Sequence, residues 1–405
     1  MVGHPPRLAE GQPGQAAPLT PEQARWLLSP AGRAAVDRAL SLDLSPASRL
    51  AAAEAMRTVG PVYGPLALDQ AVLKRRALAK HPQGDRLWWT TEALEQASSY
   101  AVAAHRAQRF VGEHRVLDLC CSVGGDLTAL VAVAPTVGVD LDEARLLLAQ
   151  ENSRGWDVSL LRADVTQLRP TGAVFVDPAR RSAGRRIFDA RSYVPPLGVV
   201  LGWLPQLSSL AVKVAPGLDF DALPASLEVE VVSLRGDVKE AVLWGGAARR
   251  GAARSATLLP GGDVLTDEAA APPSVRAPGG YLLEPDGAVI RAHLVAQVAA
   301  RIGGWLLDPT IAYICADAVT ATPFGRWYEV HEVLAFALKP LRERLRAYDA
   351  GTLVVKKRGT AVEPDTLRRQ LKLTGSRTVT VVLTRSAGRQ VALIVSPVAA
   401  APAAC

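Results

Sequence analysis

Three aspartates stand at the ends of short hydrophobic runs in the middle of this 405-residue sequence: Asp118, Asp140 and Asp164. Runs of this kind predict strands, and the carboxyl ends of parallel strands share one edge of a sheet. A carboxylate at that edge can accept hydrogen bonds from both hydroxyls of a ribose, and an acid beside backbone amides can bind an adenine edge. Each aspartate alone could equally be a helix N-cap. The three together predict a nucleoside-binding edge.

A loop of small residues follows the strand that carries Asp118. It contains Cys120, Ser122, Gly124 and Gly125, and a helix is predicted to begin directly after it. Small side chains at a strand-to-helix turn let a ligand approach the backbone, and the first turn of a helix offers N–H groups without partners. We therefore expect the loop to form part of the same ligand site.

A fourth hydrophobic run ends in Asp177 and Pro178, and basic residues follow it. Five arginines occur within twelve residues, namely Arg180, Arg181, Arg185, Arg186 and Arg191. A charge cluster is usually a solvated surface, but beside a ligand-binding edge it favours contact with an anionic substrate. Lys213 ends a fifth run at the same edge, where it could contact the substrate or reach solvent past apolar neighbours.

The elements that carry these residues alternate between strands and helices. Such alternation predicts βαβ units and a parallel sheet covered on both faces. Two further runs, residues 227–234 and 238–244, are separated by only three residues, so they must be antiparallel. We expect an α/β, Rossmann-like sheet that is parallel except for a terminal antiparallel hairpin. This hairpin disfavours the all-parallel sheet of a nicotinamide-dependent dehydrogenase.

The sequence suggests a division of the chain into six segments. The strands are preceded by helical patterns, including one long helix over residues 90–110, and residues 245–280 are predicted to form a loop or an insertion. The expected segments are a disordered tail (1–20), a helical domain (21–85), the sheet domain (86–250), a linker or insertion with a helix (251–325), a small α+β module (326–397) and a second tail (398–405).

Positive charge is concentrated near the carboxyl terminus. The net charge is +7, yet residues 326–397 contain 14 Lys or Arg against 6 Asp or Glu, a net of +8. The rest of the chain has 32 basic and 33 acidic residues, a net of −1. A basic module beside a neutral domain favours docking of a polyanion such as nucleic acid, with solubility as the alternative explanation.

Several classes of protein are disfavoured. The four cysteines form no C-x-x-C pair and the six histidines have no ligand spacing, so we expect neither a metal site nor a disulfide framework. The uncharged stretch over residues 194–212 contains three prolines and polar groups, which argues against a membrane span. The amino terminus lacks the apolar core of a signal peptide. We expect a cytoplasmic protein; its oligomeric state is not predicted.

The segment Asp118-Leu119-Cys120-Cys121-Ser122-Val123-Gly124-Gly125 resembles the first motif of class I S-adenosylmethionine-dependent methyltransferases. It is most similar to the Asp-x-x-Cys-x-x-Gly-Gly form found in trimethylguanosine-synthase-like RNA methyltransferases. Cys120 and Ser122 stand where most class I enzymes have glycine. The resemblance covers residues 87–245 and implies that S-adenosylmethionine is the cofactor.

The same resemblance implies a role for each candidate residue. Asp118 and the loop through Gly125 would hold the methionine part, Asp140 the ribose and Asp164 the adenine. In these relatives a segment before the first strand also closes over the methionine. Here residues 87–92 occupy that position, and Thr90 is the candidate contact.

Asp177 and Pro178 resemble the start of the Asn/Asp/Ser-Pro-Pro-aromatic motif of amino-methylating relatives, although Ala179 and Arg180 depart from it. In those relatives the acid and the following backbone carbonyl hold the target NH2. Arg180 could instead stack on a base or bind a phosphate. The uracil-C5 methyltransferases have a similar Asp-Pro-Pro-Arg, but they also need a nucleophilic cysteine. Cys315 has no supporting signature, so carbon methylation is disfavoured.

The combination of these motifs with the basic module is similar to bacterial methyltransferases that have a THUMP-like C-terminal domain. The matching segment begins at Gly351, and the resemblance implies RNA docking, with Lys356, Lys357 and Arg358 as phosphate contacts. We therefore predict an S-adenosylmethionine-dependent methyltransferase that acts on a base nitrogen in structured RNA. The alternatives are an inactive RNA- or ribosome-binding adaptor and a methyltransferase of a small molecule or a protein.

Overall fold

The computed structural model describes residues 18–180 and 193–399. The chain divides into two compact units. The described part of the first consists of residues 18–180 and 193–209, and that of the second of residues 210–399. Within these ranges no helix combines the length and the hydrophobicity that crossing a membrane requires.

Helices dominate the beginning of the first unit, and capping residues set where they start. The Thr20 hydroxyl accepts from the Gln23 backbone and the Gln23 side chain accepts from the Thr20 backbone, with proline at the first helical position. The helices are α1 (Pro21–Leu28), α2 (Pro30–Leu40), α3 (Arg49–Ala55), α4 (Tyr63–Ala77), α5 (Thr91–Gln96), α6 (Tyr100–Ala107), α7 (Leu127–Leu130), α8 (Glu143–Asn152) and α9 (Leu197–Gly202). Side chains of α1, α2, α4 and α8 share one buried core with Trp88 and Trp89.

The prediction of a single long helix over residues 90–110 is wrong. The structure has two helices there, because α5 ends at Gln96 and α6 begins at Tyr100. The Lys80 ammonium group donates to three backbone carbonyls at the end of α5, at 2.8, 2.9 and 3.0 Å. These carbonyls would otherwise need partners from a continuing helix. A residue outside the helical pattern therefore stabilises the break.

The strands of the first unit form a parallel sheet in the order β3-β2-β1-β4. Asp118 is in register with Gly138 on β2, where a Cβ atom would lie only 2.8 Å from Leu160. A short antiparallel pair, β5 and β6, follows β4. The strands are β1 (Val116–Leu119), β2 (Thr136–Asp140), β3 (Val158–Arg162), β4 (Gly172–Val176), β5 (Ala179–Arg180), β6 (Tyr193–Val194) and β7 (Leu207–Val214), the last of which passes from the first unit into the second.

The second unit contains the predicted antiparallel hairpin. Its strands β8 (Glu228–Leu234) and β9 (Asp237–Gly246) are joined through Arg235 and Gly236, both with positive φ, as a tight hairpin turn requires. The prediction of a loop or an insertion over residues 245–280 is wrong in part, because this stretch contains two strands, β10 (Arg254–Leu259) and β11 (Asp263–Thr266). Since β10 pairs in parallel with β8, the hairpin does not end the sheet.

A separate seven-stranded sheet completes the second unit, in the order β13-β14-β12-β15-β18-β17-β16. Three of its strands precede residue 325, so this sheet extends beyond the module predicted over 326–397. Side chains of two helices, α12 and α13, pack on one face in a common core. The strands are β12 (Tyr281–Pro285), β13 (Trp305–Leu306), β14 (Ile314–Ala316), β15 (Gly325–Ala335), β16 (Ala350–Lys357), β17 (Arg377–Ser386) and β18 (Arg389–Pro397); the helices are α10 (Gly287–Arg291), α11 (Val295–Ile302), α12 (Leu338–Ala347) and α13 (Pro364–Leu371).

Candidate functional site

A cavity that is partly open to solvent lies at the carboxyl ends of the parallel strands in the first unit. Each of the four strands contributes to its wall through the residue or loop that follows it. The predicted site residues in this wall are Cys120, Ser122, Gly125, Asp140, Asp164 and Asp177. The structure therefore brings together, around one cavity, groups that are separated by up to about 60 residues in the sequence.

The loop after β1 keeps a glycine-like backbone without the usual glycines. Cys120 (φ 69°), Ser122 (φ 54°) and Gly124 (φ 83°) all lie in the left-handed region. Glycine adopts this region freely, whereas other residues incur a steric penalty. The N–H groups of Cys120 and Cys121 donate to the carbonyl of Val139, at 2.8 and 3.0 Å. The loop thus folds against the end of β2 and turns small side chains toward the cavity.

Two aspartates of the wall are held by hydrogen bonds and retain acceptor capacity. Asp140 accepts the N–H of Ser122 on Oδ2 (2.8 Å) and that of Asp142 on Oδ1 (2.9 Å). Asp164 accepts the hydroxyl (2.7 Å) and N–H (2.9 Å) of Thr166 on Oδ1, and these bonds lower the pKa of its carboxyl group. A carboxylate oxygen can accept two hydrogen bonds, so both side chains can still bind ligand donors.

Asp118 is buried behind this wall and is not part of its surface. Its side chain is 1% exposed, and neither carboxylate oxygen has a hydrogen-bond partner in the part of the chain that the structure describes. Burial, assisted by the nearby carboxylates of Asp126 and Asp177, raises the pKa of Asp118 well above its ordinary value. A cation bound in the cavity would have the opposite effect. An unpaired carboxyl group in this position fits a cationic part of a ligand.

An ion pair between Arg106 and Asp126 lies next to Asp118. Arg106 is fully buried, with its guanidinium carbon 4.4 Å from the centre of the Phe175 ring, and Asp126 lines the cavity. Neither residue is among those predicted from the sequence. Asp126 follows Gly125 directly, so the small-residue loop could have indicated it. Arg106 belongs to α6, and no local pattern marks it.

On the side that follows β4, the wall is acidic and aliphatic. Asp177 lines the cavity, and its N–H donates to the carbonyl of Leu119 at 3.3 Å. The neighbouring residues in the wall are Ala179, Val194 and Pro195, and β5 and β6 bring Ala179 opposite Val194. Among the described residues of the wall, this part therefore presents one carboxyl group beside small apolar side chains.

Other predicted residues are not among the described residues of this wall. Pro178 is buried, and Arg180 belongs to β5. Arg181 and Arg185 lie outside the described residues. Lys213 is buried in β7, within the second unit.

The segment before β1 does line the cavity, but not through Thr90. The Thr90 hydroxyl accepts the N–H of Ala93 at 3.1 Å and so caps α5. Its neighbours Trp89 and Glu92 belong to the wall. Glu92 is also paired with Arg145 of α8 at 2.5 Å, and both side chains line the cavity.

Two of the predicted phosphate contacts in the second unit are already paired. Lys356 donates to Glu284 at 2.5 Å, with its ammonium 5.4 Å from the centre of the Tyr328 ring. Lys357 donates to Glu363 at 2.6 Å. The half-buried Arg358 has its guanidinium carbon 5.5 Å from the centre of the Tyr313 ring. The two carboxylates reduce the charge that Lys356 and Lys357 can offer to an anion.

The chain is 42% identical over 337 residues to an uncharacterized S-adenosylmethionine-dependent methyltransferase of Mycobacterium tuberculosis, found in strains CDC 1551 and H37Rv. The match covers 79% of this chain and 92% of that protein. The chain belongs to the S-adenosylmethionine-dependent methyltransferases. The sequence-based predictions of this family, this enzyme class and this cofactor are confirmed.

Further comparisons agree with the architecture of the methyltransferase. A crystal structure of a candidate methyltransferase from Porphyromonas gingivalis W83 superposes with a TM-score of 0.67 and 23% identity, covering 92% of this chain and 97% of that one. This likeness confirms the predicted fold. Residues 325–397 match the profile of a THUMP domain-like family, as the sequence predicted, and residues 20–77 match a domain of unknown function, DUF8688.

The chemistry of the cavity fits the cofactor of the family. S-adenosylmethionine combines an ammonium group and a sulfonium with ribose hydroxyls and an adenine amino group, all of which suit carboxyl groups. The buried carboxyl of Asp118 provides the observation that tests this fit, because neither of its oxygens has a hydrogen-bond partner among the described residues and the methionine ammonium could donate to them. Within residues 18–180 and 193–399, no cluster of three or more His, Cys, Asp or Glu side chains is arranged to hold a metal ion.

Proposed function

We propose that the methyltransferase modifies a nitrogen atom of a nucleobase in structured RNA. The observation that carries this proposal is the position of Asp177, whose side chain lines the same cavity as the loop after β1, Asp140 and Asp164. A carboxylate there can hold the amino group of an acceptor at the edge where the cofactor would lie. The adjacent Ala179, Val194 and Pro195 leave a small apolar surface for the acceptor.

For the cofactor we assign Asp118 and the loop through Gly125 to the methionine part, Asp140 to the ribose hydroxyls and Asp164 to the adenine. When bound, S-adenosylmethionine supplies a methyl group that its sulfonium has already activated. Asp118 would become ionised beside the methionine ammonium, and the hydrogen bonds from Ser122 and Asp142 hold Asp140 in one orientation. The chain therefore has mainly to position the acceptor.

At the acceptor, Asp177 would accept a hydrogen bond from the target NH2, and the backbone carbonyl of Pro178 would accept the other. With both hydrogens held, the nitrogen lone pair is left facing the methyl group, and an in-line approach of about 3–3.5 Å provides much of the rate. Transfer would form the new N–C bond as the C–S bond of the cofactor breaks, and Asp177 or water would accept the extra proton from the nitrogen.

RNA docking by the basic module is supported by exposed charges in the second unit. Several basic side chains there are exposed and form no ion pair with another described residue, among them Lys339, Arg346, Lys372 and Arg377. They suit phosphate contacts better than Lys356 and Lys357, which are paired. Arg180, Arg181, Arg185, Lys213 and Arg358 stay candidates for contact with the acceptor strand.

Mass spectrometry of nucleosides tests the proposal. RNA from a strain that lacks the protein should be missing one methylated nucleoside present in its parent, and the purified protein should restore it in vitro from S-adenosylmethionine. Asp177→Ala should abolish transfer while retaining cofactor affinity, and Asp157→Ala, an exposed change outside the cavity, should behave like the parent. Transfer of labelled methyl to protein or to small molecules, with none to RNA, would contradict the substrate assignment.

A further inference from the structure

One short segment before β1 supplies much of the cavity wall. Residues 85–97, called here the cavity segment, contribute five of the lining residues: Trp89, Glu92, Ala93, Gln96 and Ala97. Apart from the six-residue helix α5, this segment has no regular secondary structure to hold its backbone. Its position must therefore come from contacts with other elements.

The first of these contacts is made by Lys74 of α4. This side chain is only 5% exposed, and its ammonium group donates to the carbonyl oxygens of Asp85 (2.9 Å), Arg86 (3.1 Å) and Leu87 (3.0 Å). It also lies 4.4 Å from the centre of the Trp88 ring. An ammonium group has three donors, and all three are used on consecutive residues at the start of the cavity segment.

Lys80, just after α4, repeats this arrangement at the other end of the segment. Its ammonium donates to the carbonyl oxygens of Leu94, Glu95 and Ala97 at 2.8–3.0 Å, and its own carbonyl accepts the N–H of Tyr100 at 2.7 Å. Two lysines six residues apart in the sequence thus hold both ends of the cavity segment through backbone groups, whatever side chains the segment carries.

The middle of the segment is held by two amides. Gln70 of α4, oriented to satisfy both groups, donates to the carbonyl of Trp89 (2.9 Å) and accepts its N–H (3.1 Å). Asn152 of α8 bonds the N–H (2.7 Å) and the carbonyl (2.9 Å) of Trp88. The Asn152 amide also donates to the carbonyl of Val123 at 2.8 Å, which links the segment to the loop after β1.

We propose that the amino-terminal helical region positions the cavity segment and thereby sets the affinity for S-adenosylmethionine, with Lys74 as its principal positioning residue. Gln70 and Lys74 both fall within the domain of unknown function that matches residues 20–77. The inference rests on the proposed assignment of the cavity to the cofactor. It gives that domain a role in binding without requiring any direct contact between α4 and the ligand.

The protonation of Lys74 provides a specific readout of this role. Burial lowers the pKa of Lys74 to about 8, opposed by the carboxylates of Asp85, Asp37 and Glu151 and assisted by the guanidinium of Arg33. Below this pKa the ammonium bonds all three carbonyls. Above it the neutral amine has two N–H donors and a lone pair, so one carbonyl loses its partner and the segment is held less firmly.

The experiment measures the dissociation constant of S-adenosylmethionine by calorimetry at pH 7 and pH 9. The proteins are the parent, Lys74→Met, Arg76→Met as a control on the exposed side of α4, and Asp140→Ala as a reference for the cavity. The amino group of the cofactor itself titrates near pH 8, so the diagnostic quantity is the ratio of variant to parent at each pH.

We expect Lys74→Met to bind S-adenosylmethionine about tenfold more weakly than the parent at pH 7, because hydrogen bonds from a charged donor are removed. By pH 9 Lys74 of the parent has mostly lost its charge, so the ratio of the two dissociation constants should fall at least about threefold. Arg76→Met should match the parent at both pH values. Hydrogen exchange should be faster in the amides of residues 88–97 of Lys74→Met, with β1 to β4 unchanged.

A Lys74→Met ratio near one at pH 7, while Asp140→Ala weakens binding, would overturn the positioning role and leave the cofactor assignment intact. A ratio that is the same at both pH values would reduce Lys74 to a general contribution to stability and would also overturn the proposal. If neither variant changes the affinity, the cavity assignment itself is wrong. Should Lys74→Met fail to fold, Lys80→Met is measured in its place, with the same weakening expected at pH 7.

Discussion

The backbone N–H of Ser122, in the loop after β1, donates to Oδ2 of Asp140, the last residue of β2, at 2.8 Å. The left-handed backbone of Ser122 (φ 54°) turns this N–H toward the end of β2. The bond fixes the loop after β1 and orients the Asp140 carboxylate at the same time. A residue that is sterically disfavoured in this conformation therefore helps to shape the cavity.

Substitutions of Ser122 should show whether its left-handed backbone conformation limits the stability of the protein. Ser122→Gly relieves a left-handed conformation that costs about 1–2 kcal/mol, but it adds chain entropy worth about 0.5–1 kcal/mol, so we expect a melting temperature equal to or slightly above that of the parent. Ser122→Val places a β-branched residue there and should lower the free energy of unfolding by about 2 kcal/mol. Thermal unfolding of both variants checks this, and equal melting temperatures would contradict the backbone argument.

Removing the Asp140 carboxylate should weaken cofactor binding. We expect Asp140→Ala to reduce the binding free energy of S-adenosylmethionine by about 1–3 kcal/mol, because charge-assisted hydrogen bonds to the ribose are removed. Calorimetric titration measures this directly. Asp157→Ala, exposed and outside the cavity wall, is the matched control, and an Asp140→Ala affinity equal to that control would refute the ribose role.

The sequence could predict the acidic edge because the pattern that marks a strand also marks where it ends. Asp140, Asp164 and Asp177 each follow a hydrophobic run, and parallel pairing then brings the strand ends together. The loop after β1 could be predicted in the same way, from the small size of its consecutive residues. Both features depend on residues close together in the chain, which is the range over which periodicity and residue size are informative.

Contacts between distant residues could not be predicted in this way. The sequence predicts Lys356 as a phosphate contact, yet its ammonium group donates to Glu284, 72 residues earlier. Arg106 is paired with Asp126 across 20 residues, and Lys74 reaches the carbonyls of residues 85–87 from a different element. Such partners depend on tertiary packing, and no spacing rule within one strand or helix encodes them.

Binding of the cofactor should release a proton from Asp118. Burial raises the folded-state pKa of this acid, whereas a neighbouring ammonium would lower it, so binding would shift the carboxyl group toward its ionised form. At pH 6.5, calorimetry in buffers of different ionisation enthalpy should detect release of up to about one proton in the parent and none in Asp118→Asn. Equal proton release in the two proteins would exclude Asp118 as the source.

Asp118 should also make the protein without bound cofactor less stable as the pH rises. A raised folded-state pKa means that the native state holds the proton more tightly than the unfolded chain, so stability decreases as the pH rises above the unfolded value of about 4. Asp118→Asn removes this dependence. We expect it to have a higher melting temperature than the parent at neutral pH, by an amount that shrinks toward pH 4, together with weaker cofactor binding. A constant difference across this range would contradict the linkage.

Neutralising exposed charges of the second unit should affect RNA binding more than neutralising the paired ones. Replacing Lys339, Arg346, Lys372 and Arg377 together by Gln should lower the slope of log K against log salt by about 0.7–0.9 for each RNA phosphate that is no longer neutralised, measured with structured transfer RNA as the probe. Changing Lys356, Lys357 and Arg358 together should also flatten the slope, but by less, because two of these cations already have carboxylate partners. Arg57→Gln, in the first unit, is the control and should leave the slope unchanged. If the paired set gave the larger change, RNA would have to displace Glu284 and Glu363 from their lysines, and the exposed set would not be the docking surface.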